Sequence, residues 1–197
     1  MSDLFKTPVL KVEQPRRGPF AKSRYKVMDG EGTVLAVAAE TGDHGRGETL
    51  RHMFPGKSDL DPRAVLLTDP EGTVPLLIVD KAGGRMLTSV RRPDGEMVGT
   101  FRTERIGRRY LLHDGADEKI GEVEVDLPRQ NFTVVDLDGG RVAHVRKKWN
   151  GLATHLLTTA DRYAVEITDP VPEPLRTMAA MTAIAMDMNL HESKDIT

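Results

Sequence analysis

Seven arginines crowd residues 85–109 of this 197-residue chain: Arg85, Arg91, Arg92, Arg102, Arg105, Arg108 and Arg109, against Asp94, Glu96 and Glu104. Arg146, Lys147 and Lys148 form a second basic run. Residues 161–197 lean the other way, with seven acids against three bases. Over the whole chain 28 Lys and Arg face 30 Asp and Glu, a net charge of −2. Charge segregated at near-zero total makes a basic face suited to anionic lipid headgroups or other polyanions. The candidate lipid- or anion-binding residues are Arg91, Arg92, Arg105, Arg108, Arg109, Arg146, Lys147 and Lys148. The competing reading is a solvated exterior with scattered ion pairs, each worth little. Nucleic acid is disfavoured, because only nine aromatics exist and none forms a stacking set among the arginines.

Other chemistry has little support. Cysteine is absent, which excludes disulfides, thiolate metal sites, iron–sulfur clusters and a Cys nucleophile. Histidines at 44, 52, 113, 144, 155 and 191 show no H-x-H or H-E-x-x-H spacing, so no metal site is expected. Gly56-Lys57-Ser58 echoes a phosphate-binding loop, but Arg51 stands where its first glycine is required. Ser23-Arg24-Tyr25-Lys26 matches S-x-x-K on a predicted strand, where that nucleophile motif does not work. Asp136 and Asp138 read as turn residues, since no glutamate follows at the twelfth position of a calcium loop. Asp187 ends an apolar stretch and is expected to accept hydrogen bonds or pair with a barrel arginine. With no nucleophile–base pair, metal motif or cofactor loop, a non-enzymatic protein without cofactors is expected.

The elements that must position these residues are mostly strands. Short runs rich in Val, Ile, Leu, Thr and Phe are divided by Asp29-Gly30-Glu31-Gly32, Asp69-Pro70-Glu71-Gly72, Asp94-Gly95, Asp114-Gly115 and Asp138-Gly139-Gly140. Asp-Gly between alternating runs signals hairpins, because Gly takes the positive φ of a type I′ or related turn. Strands are predicted at Arg24–Met28, Val34–Ala39, Ala64–Thr68, Val74–Val79, Arg85–Val90 and Met97–Thr103. They continue at Arg109–Leu112, Ile120–Val125, Phe132–Leu137, Val142–Lys147 and Tyr163–Thr168, with one more at Pro8–Val12. In Gly121-Glu122-Val123-Glu124-Val125-Asp126 valines face one side and acids the other, as in a half-buried antiparallel strand. About a dozen such strands require a sandwich or a closed barrel.

Two segments break the strand pattern. Gly42–Lys57 is glycine-rich and charged, with a helical turn expected at Glu48–Phe54. A helix is expected near 173–190, opened by Pro172, Glu173 and Pro174. Around its wheel Met178, Ala179, Ala180, Met181, Ala183, Ile184, Ala185 and Met186 leave no polar face, so it should be buried. Met178, Met181, Ile184, Ala185 and Asp187 are its structural core candidates. The pattern asks for a β-rich shell around one hydrophobic helix.

That arrangement resembles the Tubby-C-terminal-like superfamily, specifically its LURP-one-related and phospholipid-scramblase-like families. Val145-Arg146-Lys147-Lys148-Trp149 is similar to the families' basic strand end with its tryptophan. Asp161 with Tyr163-Ala164-Val165-Glu166-Ile167 resembles the families' strand before the helix, and Ala183-Ile184-Ala185-Met186-Asp187 the end of the helix. The resemblance extends over 24–190 and implies a twelve-stranded antiparallel barrel around a C-terminal helix. It also implies lipid interaction. The family's acylated cysteine cluster has no counterpart here, and of its Asp-x-Asp-Asn calcium pattern only Asp161 remains.

The expected organisation is a basic, proline-punctuated arm at 1–22, a barrel domain at 23–190 and a polar tail at 191–197. The start of the chain shows no signal peptide. The longest uncharged apolar run, Thr177–Met186, is half the length of about 20 residues that a spanning helix needs. A cytoplasmic protein, peripheral to the membrane at most, is therefore expected. Its expected role is a scramblase-like binding module for anionic phospholipid or phosphoinositide. A protein-interaction scaffold is the second reading, and lipid translocation the third.

Overall fold

The computed structural model describes residues 4, 6–14, 24–41, 63–81, 87–105, 108–126, 131–148, 161–168 and 170–190. Among them are twelve strands. The first six are β1 (Val9–Gln14), β2 (Arg24–Met28), β3 (Val34–Thr41), β4 (Arg63–Thr68), β5 (Pro75–Lys81) and β6 (Leu87–Arg91). The rest are β7 (Met97–Arg105), β8 (Arg109–Asp114), β9 (Lys119–Val125), β10 (Asn131–Val135), β11 (Arg141–Lys148) and β12 (Asp161–Ile167). One helix follows, α1 (Leu175–Leu190).

Each strand pairs antiparallel with its neighbours in sequence, and β12 returns to pair with β1, so the sheet closes into a barrel. Closure leaves no strand edge unpaired. Val9–Gln14, which the sequence places inside the basic arm, is the strand that makes the closure, and Leu4 before it is in the core. The alternation read in the sequence decides which side faces in. In β1 Leu10 and Val12 are buried, in β4 Val65 and Leu67, in β5 Leu77 and Val79, and Val123 in β9.

Side chains alone fill a barrel of about eight strands, and twelve leave an interior wide enough for a helix about 10 Å across. Helix α1 fills it. Leu175 through Asn189 are buried on every side, including Met178, Met181, Ile184 and Ala185 at 0% exposure. Ala179, Ala180, Ala183 and Ala185 keep the helix slim, and two wall glycines let it come close. A Cβ at Gly99 would lie 2.9 Å from the Met178 sulfur, and one at Gly121 would lie 3.3 Å from Leu175 Cδ1. At the start of α1 the Glu173 carboxylate accepts the Thr177 N–H at 3.2 Å and its hydroxyl at 2.8 Å, satisfying a free donor of the first turn.

The β2–β3, β4–β5, β6–β7, β8–β9 and β10–β11 turns all lie at one end of the barrel, here called the hairpin end. The sequence signal allowed a type I′ or a related turn, and the related form is the one found. The residue opening each turn (Asp29, Asp69, Arg92, Asp114, Asp136) accepts a backbone hydrogen bond from the residue three places on. That later residue (Gly32, Gly72, Gly95, Asp117, Gly139) takes positive φ, between 72° and 97°. Each is a type I turn followed by one left-handed residue, in a three-residue loop in four cases and a four-residue loop between β4 and β5, where the Asp69 N–H donates to the Val74 carbonyl. Thus Gly30 and Gly115, the glycines of two Asp-Gly pairs, are not the left-handed residues, and Gly32 and Asp117 are. Where aspartate opens the turn, its side chain supports this geometry. Asp29 Oδ1 accepts the N–H groups of Glu31, Gly32 and Thr33 at 2.8–2.9 Å, and Asp136 Oδ1 those of Asp138 and Gly140. The expected turn at Glu48–Phe54, and Trp149, lie outside the described residues.

Candidate functional site

The eight basic candidates do not form one face. Arg91 ends β6 and Arg92 opens the β6–β7 turn, both at the hairpin end. Arg105 ends β7 and Arg108 and Arg109 begin the return on β8, at the opposite end, where Arg146, Lys147 and Lys148 also finish β11. The cluster that is continuous in sequence spans the nine residues of β7. At about 3.4 Å per residue, that strand separates Arg91 and Arg92 from Arg105 by roughly 25–30 Å.

Most of these cations already have partners. Arg91 pairs with Asp80 at 3.3 Å and Arg92 with Glu96 at 2.8 Å, and Arg146 pairs with Glu166. Arg109 reaches Glu122 at 2.6 Å and Glu104 at 3.1 Å, and Lys119 also reaches Glu122 at 3.2 Å. The hydrogen bond from Arg109 holds the Glu122 carboxyl below the usual carboxylate range, against the opposing pull of burial. The same bond raises Arg109 further above its already high value. Lys147 lies with its ammonium 5.6 Å from the centroid of the Tyr163 ring, a cation–π contact.

Arg105 and Arg108 differ. Both are exposed, and among the described residues neither has a carboxylate within ion-pairing distance. With Arg109, Glu104, Glu124 and Val125 they line an open cavity of about 520 Å³ at the β7–β8 corner. Strand register places the second basic run on the same end. Arg109 is opposite Glu124 on β9, Glu124 opposite Thr133 on β10, and Thr133 opposite His144 on β11, with Asn131 opposite Arg146. Three strand spacings, roughly 14 Å, separate the Arg109 and Arg146 strands.

Inside the barrel at this end sits a polar group that the sequence only half revealed. Asp187, 2% exposed, accepts hydrogen bonds from the hydroxyls of Tyr25 at 2.9 Å and Tyr163 at 2.8 Å. Gln14 Nε2 donates to the Tyr25 oxygen at 3.4 Å. An acceptor role for Asp187 agrees with expectation, and its donors are tyrosines where an arginine was the alternative. The usable signal was parity, because Tyr25 and Tyr163 occupy inward positions of β2 and β12 in register with Val27 and Val165. Two residues further on, Asn189 Nδ2 donates to Thr88 Oγ1 at 2.9 Å and to the Ala185 carbonyl at 2.7 Å.

Among the described residues no group of three or more His, Asp or Glu could hold a metal ion. His113 and His144 stand on separate strands, β8 and β11. Also among the described residues, no helix is long and apolar enough to cross a membrane.

No curated protein and no solved structure matches the chain. The model of the family described as Scramblase matches residues 78–193. That interval runs from β5 to just beyond α1. It contains Asp187 and all eight basic candidates and leaves Gln14 and Tyr25 outside. With more than half its length matched, the chain belongs to the Scramblase family.

Proposed function

We propose that this barrel is a non-enzymatic, peripheral binding module for anionic phospholipid, acting through the end that carries Arg105, Arg108 and Arg109. The observation that carries the reading is the lack of ion-pair partners at Arg105 and Arg108 among the described residues, beside an open cavity. An arginine without a carboxylate keeps its donors for a phosphate, and Arg105 and Arg108 are two such groups lining one cavity. Arg146 and Lys147 extend the same end. Arg91 and Arg92, paired and at the far end, belong to the solvated exterior. Family membership agrees with a lipid ligand. Lipid translocation is the weaker reading, since withdrawing α1 would empty the core at several kcal/mol per large residue.

The test is flotation of the purified protein with neutral and with anionic liposomes across a salt series. Binding to anionic vesicles alone, weakening with salt, is expected. Arg105→Glu with Arg108→Glu should abolish it, and Arg91→Glu with Arg92→Glu should leave it nearly intact. No flotation with any composition would refute the lipid reading and favour a protein-interaction module. Equal loss from both double variants would refute the assignment to this end.

A further inference from the structure

The twelve ladders that close the barrel are unequal. β1 pairs with β12 over six residues, Val9↔Glu166 to Gln14↔Asp161. Among the described residues it pairs with β2 over three, Lys11↔Met28 to Glu13↔Lys26. The helix holds β1 on the longer side. Arg176 Nη2 donates to the carbonyls of Lys6 at 3.1 Å and Thr7 at 3.5 Å, just before β1, and Asp187 is bonded to Tyr163 of β12. Across this ladder, within the core, a polar connection runs through Tyr25. Tyr25 of β2 donates to Asp187 and accepts from Gln14 of β1. Outside, Lys11 Nζ reaches the Gly30 carbonyl across the same seam, an exposed contact of small worth.

From this we infer that the barrel has a built-in opening seam between β1 and β2, latched by the Tyr25–Asp187 hydrogen bond. In the opened form β1 stays with β12 and α1, while β2 parts from them. Two strand edges and the apolar side of α1 then face outward, a surface the closed barrel hides completely. The inference is independent of the lipid reading, because it rests on ladder lengths and interior hydrogen bonds alone.

Amide hydrogen exchange of the full chain tests it. Tyr25→Phe keeps the ring and removes the latch, so exchange in β1, β2 and the last turn of α1 should quicken about tenfold or more. Exchange in β7–β9 should stay as in the parent protein. The chain has no cysteine, so Glu13→Cys with Lys26→Cys supplies its sole thiols, at directly opposed positions within disulfide reach. Oxidised, that pair should cancel the quickening, and reductant should restore it. Uniform acceleration in all strands would overturn the seam, as would acceleration in α1 without β1 and β2. Should Tyr25→Phe fail to fold, the oxidised cysteine pair in the parent background decides. It should slow exchange in β1 and β2 severalfold, and no slowing there overturns the seam.

Discussion

Met181 is the sharpest probe of the helix-in-barrel core. It sits at the middle of α1 with no exposed surface, among the largest fully buried side chains of the molecule. Met181→Ala removes buried methylenes and leaves a cavity in a packed interior, a change that costs about 2–5 kcal/mol. For a chain of this length, roughly 2–4 °C of melting temperature goes with each kcal/mol, so a fall of about 4–20 °C is expected. Met181→Asp keeps the cavity and adds an unpartnered carboxyl, which costs several kcal/mol more whether it stays charged or takes up a proton. Against a total stability of about 5–15 kcal/mol, that sum is enough to unfold the domain. The assay is thermal melting by far-ultraviolet circular dichroism, with Leu137→Asp as control. Leu137 is 65% exposed in the β10–β11 turn, so its variant should melt within about 0.5 kcal/mol of the parent. A Met181→Asp protein that melts like the parent would refute the buried helix.

Two other predictions concern the wall and its charges. Gly99→Val should be destabilising, since even a Cβ there would meet the His113 carbonyl at 2.5 Å and the Met178 sulfur at 2.9 Å. Overpacking of this kind costs about 1–3 kcal/mol, and an unchanged denaturant midpoint would show that α1 lies further from β7. Glu122, held below the usual carboxylate range by Arg109, contributes stability that is complete above its ordinary unfolded value, roughly 4.3. That contribution is lost as pH falls through this value to the lower folded one. Urea midpoints between about pH 6 and 3 should therefore fall less steeply in Glu122→Gln than in the parent. Arg109 is 45% exposed, so the difference should be no more than about 1 kcal/mol, and parallel curves would refute the coupling.

The amino-acid sequence by itself determined the elements. Short β-branched runs between turn signals marked the strands, and several, such as β1 and β4, alternate as a wall with one dry and one wet face demands. The run Met178 to Met186, apolar on all sides, required a helix surrounded by protein. Only the tertiary structure decided which distant residues meet. Antiparallel strands reverse direction, so Arg92 and Arg105, neighbours in a basic stretch, go to opposite ends of β7, while Arg109 and Arg146 come to the same one. Whether a surface arginine is free depends on cross-strand register. Arg109 faces Glu124 and reaches Glu122, whereas Arg105 and Arg108, past the β7 irregularity, meet no carboxylate among the described residues. Closure likewise follows from curvature summed over twelve strands, which no local pattern encodes. That closure brings Tyr25, Tyr163 and Asp187, separated by up to 162 residues, within hydrogen-bonding distance.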